Sequence, residues 1–122
     1  LMADSTQTNG LNWVLGNPIA LNAQTGTSYT FVLTDNFKLV TASNASAQTY
    51  TIPPNSSVAY PTGSVINIIQ IGAGQVSFAQ GSGVTIASTG ASATAPKLRA
   101  QYSAASAIKV ATDTWYVIGD IA

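Results

Sequence analysis

The stretch Ser64-Val65-Ile66-Asn67-Ile68-Ile69-Gln70-Ile71 decides the fold class of this chain. Its β-branched residues favour a strand, and successive side chains of a strand point to opposite faces. One face then carries Val65, Asn67, Ile69 and Ile71, and the other carries Ile66, Ile68 and Gln70. Apolar residues on both faces predict a central strand, or a strand covered by its own core on one side and by a partner on the other.

Short segments with strand patterns lie on both sides of this stretch, separated by turn signals. Together they make about nine strands, at residues 28–34, 38–41, 48–52, 64–71, 75–79, 84–88, 97–102, 107–111 and 115–118. Glycine turns at 72–74 and 81–83 are typical of hairpins. The pattern predicts an all-β fold, a small antiparallel β-sandwich or barrel-like domain. No long-period internal repeat is evident.

The composition excludes several classes of function. The chain has four basic and four acidic residues, a formal net charge of zero, and neither cysteine nor histidine. Disulfides, zinc fingers, thiol nucleophiles and histidine bases are therefore impossible, and we expect no enzyme, cofactor or metal. A neutral chain does not favour nucleic acid as a partner, and no apolar run is long enough to insert in a membrane.

Residues 1–27 are mostly polar and irregular, and we expect them to form an N-terminal arm or neck. Trp13 is the large apolar side chain of this segment and needs a surface on which to dock. The β-rich domain is then expected to span residues 28–122.

The aromatic residues are the best candidates for ligand binding. A sugar ring stacks on an aromatic face while amide and hydroxyl groups bond its hydroxyls. Tyr60 is the leading candidate because it lies on the predicted loop 53–63, with Asn55 on the same loop and Tyr50 on a nearby strand. Trp115 fits better as core or subunit-interface packing.

Several sequence blocks, in this order, resemble the C-terminal modules of tailed-bacteriophage fibres and related virion structural proteins. The resemblance covers residues 28–122. Its blocks are Lys38-Leu39-Val40-Thr41-Ala42-Ser43-Asn44-Ala45-Ser46, Thr51-Ile52-Pro53-Pro54-Asn55-Ser56-Ser57-Val58-Ala59-Tyr60-Pro61-Thr62-Gly63, Ile69-Gln70-Ile71-Gly72-Ala73-Gly74-Gln75-Val76, Gly83-Val84-Thr85-Ile86, Lys97-Leu98-Arg99-Ala100-Gln101-Tyr102-Ser103-Ala104-Ala105 and Thr114-Trp115-Tyr116-Val117-Ile118-Gly119-Asp120.

This resemblance implies a non-enzymatic, β-rich fibre tip that forms an intertwined homotrimer and contacts a bacterial surface polysaccharide. It implies assembly in the host cytoplasm, a reducing compartment in which proteins rarely form disulfides and cysteine is not needed for them. It also implies a place in the virion beside other virion proteins. A trimer would bury the second apolar face of residues 64–71, so Trp13, Ile66 and Ile68 are the expected interface residues. The alternative is a purely structural virion module, such as a head-fibre, decoration or trimer-capping domain. A carbohydrate-binding module or a depolymerase fragment fits less well.

Overall fold

The computed structural model describes residues 18–122 of the chain. These residues form nine strands and one short 3₁₀ helix (Leu33–Asp35). The strands are β1 (Leu21–Gln24), β2 (Ser28–Thr30), β3 (Leu39–Ala42), β4 (Gln48–Ile52), β5 (Val65–Gln70), β6 (Val76–Gln80), β7 (Thr85–Ala87), β8 (Ala104–Ala111) and β9 (Thr114–Gly119). The all-β class predicted from the sequence is confirmed.

The strands form two sheets of different composition. Sheet A has the order β1-β3-β5-β8-β9-β7, and sheet B has the order β2-β4-β6. Sheet B is wholly parallel, whereas in sheet A the pairs β5–β8 and β8–β9 are antiparallel and the others are parallel. The prediction of an antiparallel domain was therefore wrong. Parallel neighbours need crossover connections. Between the parallel partners among β1 to β6, each connection contains a strand of the other sheet, whereas the connection from β7 to β9 contains β8 of the same sheet.

The first six strands form three stacked coils, each with one strand in sheet A and the next in sheet B. Leu39 pairs with Asn67 and Gln48 pairs with Val76, so both strands of the second coil recur 28 residues later in the third. The first coil is shorter, since Leu21 already pairs with Leu39. The coils are a structural repeat that the sequence did not reveal, because their lengths differ.

The corners of successive coils lie directly on one another. The Gly74 amide donates to the Asn44 carbonyl at 2.8 Å, which joins the corner at 71–75 to the corner at 43–47. A Cβ on Gly72 or Gly74 would overlap the backbone of the corner beneath. These glycines permit close approach between coils, and the turns at 72–74 and 81–83 connect the two sheets instead of forming the predicted hairpins.

Both sheets contribute to one hydrophobic core. Alternate residues of β5 are buried, and the same alternation holds in β4, β6, β8 and β9. The largest fully buried apolar side chains are Trp115, Tyr50, Phe31, Phe78, Ile52, Ile66, Ile68, Ile86, Leu98 and Val40. The rings of Tyr60 and Trp115 meet edge to face, with centroids 5.2 Å apart. Trp115 is thus a core residue.

The ends of the domain differ from the predicted boundaries. Strand β1 belongs to sheet A, although it lies within the segment expected to be an arm. At the other end, the predicted strand 97–102 makes only the isolated bridges Ser77–Lys97 and Leu98–Ile121. That segment covers the edge of sheet B beside β6, where the Phe78 amide donates to the Pro96 carbonyl at 2.9 Å.

Candidate functional site

The two tyrosines predicted to bind sugar are buried. Tyr50 is 0 % exposed and Tyr60 is 2 % exposed, so neither presents a ring face to solvent. The Tyr50 hydroxyl donates to the Gln48 side-chain oxygen at 3.3 Å, and the Tyr60 hydroxyl donates to the Val32 carbonyl. Burial raises the pKa of Tyr50 to about 12 and also raises that of Tyr60. Both serve the core, and the prediction that they stack on a sugar was wrong.

Asn55 is also committed to internal contacts. Its backbone amide donates to the Asp113 carboxylate at 2.6 Å, and its side-chain oxygen accepts from the Lys109 ammonium group at 2.7 Å. These two bonds hold the loop between β4 and β5 against the hairpin of β8 and β9. The predicted ligand residue is therefore an anchor of its own loop.

Two of the three residues predicted for a trimer interface lie in the core. Ile66 and Ile68 are both 0 % exposed within one chain, so they offer no surface to a second copy. Trp13 lies outside the described residues. The opposite face of β5, with Val65, Asn67 and Ile69, is half-buried and points away from the core. Both faces of β5 carry apolar residues, as the sequence shows. The core covers the Ile66 and Ile68 face, which was predicted to be the interface, and leaves the Val65 and Ile69 face outside.

The outer face of sheet A extends this pattern across all six strands. Strand register aligns one row from β1 to β9, which is Leu21, Leu39, Asn67, Ser106 and Ile118. A second row runs from β5 to β7 and contains Val65, Ile108, Tyr116 and Ala87. No Asp, Lys or Arg lies on this face among its strand residues.

Three large side chains of this face are widely open to solvent. Leu21 is 65 % exposed, Ile118 55 % and Tyr116 49 %. Single exposed apolar residues are ordinary, whereas a face on which apolar side chains recur along two register rows is a candidate interaction surface. The sequence held a signal for it, because the predicted strand 115–118 also has apolar residues on both faces.

Two depressions lie on either side of Ile118. One, of about 340 Å³, is lined by Ala87, Ser88, Thr89, Tyr116, Val117, Ile118 and Gly119. The other, of about 240 Å³, reaches from Ile118 and Gly119 to Leu39 and Asn67. Small residues create both hollows, since Gly119 has no side chain. Asn67 and Ser106 line the second depression, where the Ser106 hydroxyl donates to the Asn67 side-chain oxygen at 2.6 Å.

The carboxylates of the described residues all serve structural contacts. Buried Asp35 accepts from the Tyr29 hydroxyl at 2.7 Å, from the Asn22 side chain at 2.8 Å and from the Val32 amide at 2.9 Å. Burial, and then the bond to Asp35, raises the pKa of Tyr29 to about 12. Asp113 holds Asn55, as described above. No group of three potential metal ligands occurs in residues 18–122.

Asp120 completes this set through an exposed ion pair. The Arg99 guanidinium donates two bonds to it, at 2.7 and 2.9 Å, and the Ser103 hydroxyl donates a third at 2.7 Å. The bonds from Arg99 and then Ser103 hold the pKa of the Asp120 carboxyl below its ordinary range. These contacts fix the segment before β8 to the C-terminus.

The described part contains no helix with the length and apolar character of a membrane span. No family model matches the chain, and no curated protein or solved structure is significantly similar to it.

Proposed function

We propose that this chain is a non-enzymatic, self-associating structural module of a virion, of the kind that its sequence resembles in tailed-phage fibres. Its two sheets form a two-layer sandwich, and three copies form a homotrimer that is assembled in the host cytoplasm beside other virion proteins. The observation that carries the proposal is the uncharged, largely apolar outer face of sheet A. Such a face is typical of a subunit interface, because burying it stabilises the assembly by about 25 cal/mol per Å².

The charged groups support a structural role. Asp35, Asp113 and Lys109 all bond to loops or neighbouring strands inside the domain. Arg99 and Asp120 bond to each other. Acid–base catalysis needs a titratable group within reach of a bound substrate, and these groups are engaged in holding the fold.

Contact with a bacterial surface polysaccharide is the second candidate function, and one observation favours it. Tyr102 is 69 % exposed and has a left-handed backbone with φ of 72°. Its amide donates to the Gln70 carbonyl at 2.6 Å, and the neighbouring Gln101 side chain donates to the Ile71 carbonyl at 2.8 Å. A rigid, open tyrosine beside an amide suits a sugar ring better than the buried Tyr60 does.

Light scattering during size-exclusion chromatography tests the structural proposal. The expected mass is about three times that of the 12.5 kDa chain, and it should persist on dilution to micromolar concentration. A single-chain mass at the highest concentration would overturn the proposal. Binding of the fluorescently labelled protein to bacterial cells, with and without the Tyr102→Ala change, tests the second candidate. Binding that needs Tyr102 supports it, and equal or absent binding contradicts it.

A further inference from the structure

We infer that the outer face of sheet A is the surface on which copies of this chain pack, with Ile118 of one copy lying in a depression of the next. The inference rests on the proposed self-association and names its surface. Three properties of the face carry it: its size, its lack of charge and its shape.

The size of the face suits a subunit contact. Six strands spaced about 4.8 Å apart make a sheet about 24 Å wide, and the six residues of β5 span about 20 Å. The face therefore covers on the order of 500 Å² in projection. A stable interface buries about 800 Å² on each partner, so this face and its margins supply most of the area required.

Three more exposed apolar side chains lie near the strands of sheet A. Ile19 is 58 % exposed and precedes β1, while Val110 is 40 % exposed in the irregular part of β8. Phe37 is 62 % exposed, and its amide donates to the Val65 carbonyl at 2.7 Å at the start of β5. These three exposed apolar side chains lie in or next to the strands of sheet A in the chain.

The lack of charge favours a second copy as the occupant. When the faces of two copies pack together, no like charges meet and no unpaired charge is buried. Either event would cost several kcal/mol. At the centre of the face, the Ser106 hydroxyl already donates to the side-chain oxygen of Asn67. A polyanion would find no cation on the strand residues of this face.

The shape of the face complements itself. Ile118 protrudes between two hollows of about 340 and 240 Å³, so the same surface carries both a projection and the space to receive one. In a ring, each copy places its Ile118 against one neighbour and offers a hollow to the other, so different parts of the face make the two head-to-tail contacts, and such contacts close if the rotation closes. A threefold ring is the closure that the proposed trimer requires.

A pair of matched lysine substitutions tests the inference. Ile118→Lys places a charge on the outer face of sheet A, whereas Thr49→Lys places one on an exposed position of β4 in sheet B. We expect Ile118→Lys to weaken association at least tenfold in sedimentation velocity and Thr49→Lys to leave it unchanged. An Ile118→Lys protein that assembles like the wild type would overturn the inference, as would a Thr49→Lys protein that dissociates.

Crosslinking gives an answer that does not depend on the folding of a charged variant. The chain has no cysteine, so Ile118→Cys and Thr49→Cys each introduce a single thiol. A short bismaleimide should link chains through position 118 and leave the position 49 variant unlinked. Linkage at 49 alone would place the interface on sheet B and overturn the inference while the proposed function stands. A wild-type protein that sediments as a single chain would instead refute the proposed function.

Discussion

The ammonium group of Lys109 lies 2.6 Å from the carbonyl oxygen of Tyr60, inside the protein. Lys109 is 3 % exposed, and its other bond goes to the side-chain oxygen of Asn55 at 2.7 Å. No carboxylate forms an ion pair with it in the described part of the chain. A buried charge that is met only by neutral oxygens ties the loop between β4 and β5 to β8.

Replacing this lysine should destabilise the fold. Lys109→Met keeps the apolar stem but leaves the Asn55 and Tyr60 oxygens without their donor, which should lower the free energy of unfolding by about 2 kcal/mol. Urea unfolding at pH 7 measures the change. Lys97→Met is the control, because Lys97 is exposed, and it should stay within about 0.5 kcal/mol of the wild type. Equal effects of the two changes would refute the anchoring role.

The stacked corners predict a second stability effect. A methyl group at Gly74 would overlap the Ser46 carbonyl, so Gly74→Ala should lower the free energy of unfolding by about 2–3 kcal/mol. Gly26→Ala is the matched control, because its Cβ would lie 3.7 Å from the nearest atom, the Ser28 oxygen. Thermal unfolding should separate the two variants clearly. A Gly74→Ala protein as stable as Gly26→Ala would contradict the close approach of the corners.

The left-handed backbone of Tyr102 predicts a reversal of the usual order of alanine and glycine. A Cβ in this conformation costs about 1–2 kcal/mol, so Tyr102→Gly should be more stable than Tyr102→Ala by about 0.5–1 kcal/mol after the entropy cost of glycine. At Thr49, in the regular strand β4, alanine should be the more stable of the two. Urea unfolding of the alanine and glycine variants at each of the two positions measures the difference in free energy of unfolding. The same order at both positions would show that the backbone at Tyr102 is unstrained.

The ion pair of Arg99 and Asp120 predicts a loss of stability in acid. The pKa of the Asp120 carboxyl is lowered in the folded state, first by Arg99 and then by Ser103. Its contribution is therefore present above the unfolded value of about 4 and is lost as pH falls through the folded pKa. We expect Asp120→Asn to be less stable than the wild type at pH 7, with the difference shrinking below about pH 4. Urea midpoints from pH 7 downward measure this. A difference that does not change with pH would rule out the carboxylate's role.

Local sequence patterns located most strands but not their partners. The alternation from Gln48 and the stop at Pro53 predicted β4 with the bounds that the structure has. Nothing local indicated that Leu39 pairs with Asn67 or Leu21 with Leu39, because pairing partners lie in different coils. Because the first coil is shorter than the second, the sequence has no constant repeat length from which the stacked coils could be recognised.

The site was harder to predict because distant residues determine burial. Tyr60 lies on a proline-containing loop that reads as exposed, yet Trp115 and Lys109, far along the chain, hold it in the core. On β5 both faces are apolar, so the sequence could not decide which face the core would cover. Ile66 and Ile68 share one core with residues of sheet B, such as Phe78, so the core covers their face of β5.

The order of strands in sheet A also constrains when this protein can fold. Strand β5 completes its pairing only with β8, which joins Val65 to Ile108, and the hairpin of β8 and β9 is the most local pair among the described strands. During synthesis the N-terminal coils leave the ribosome first, so they emerge before the strands that close their sheet. The pairing of sheet A therefore cannot be completed until β8 and β9 have been synthesised.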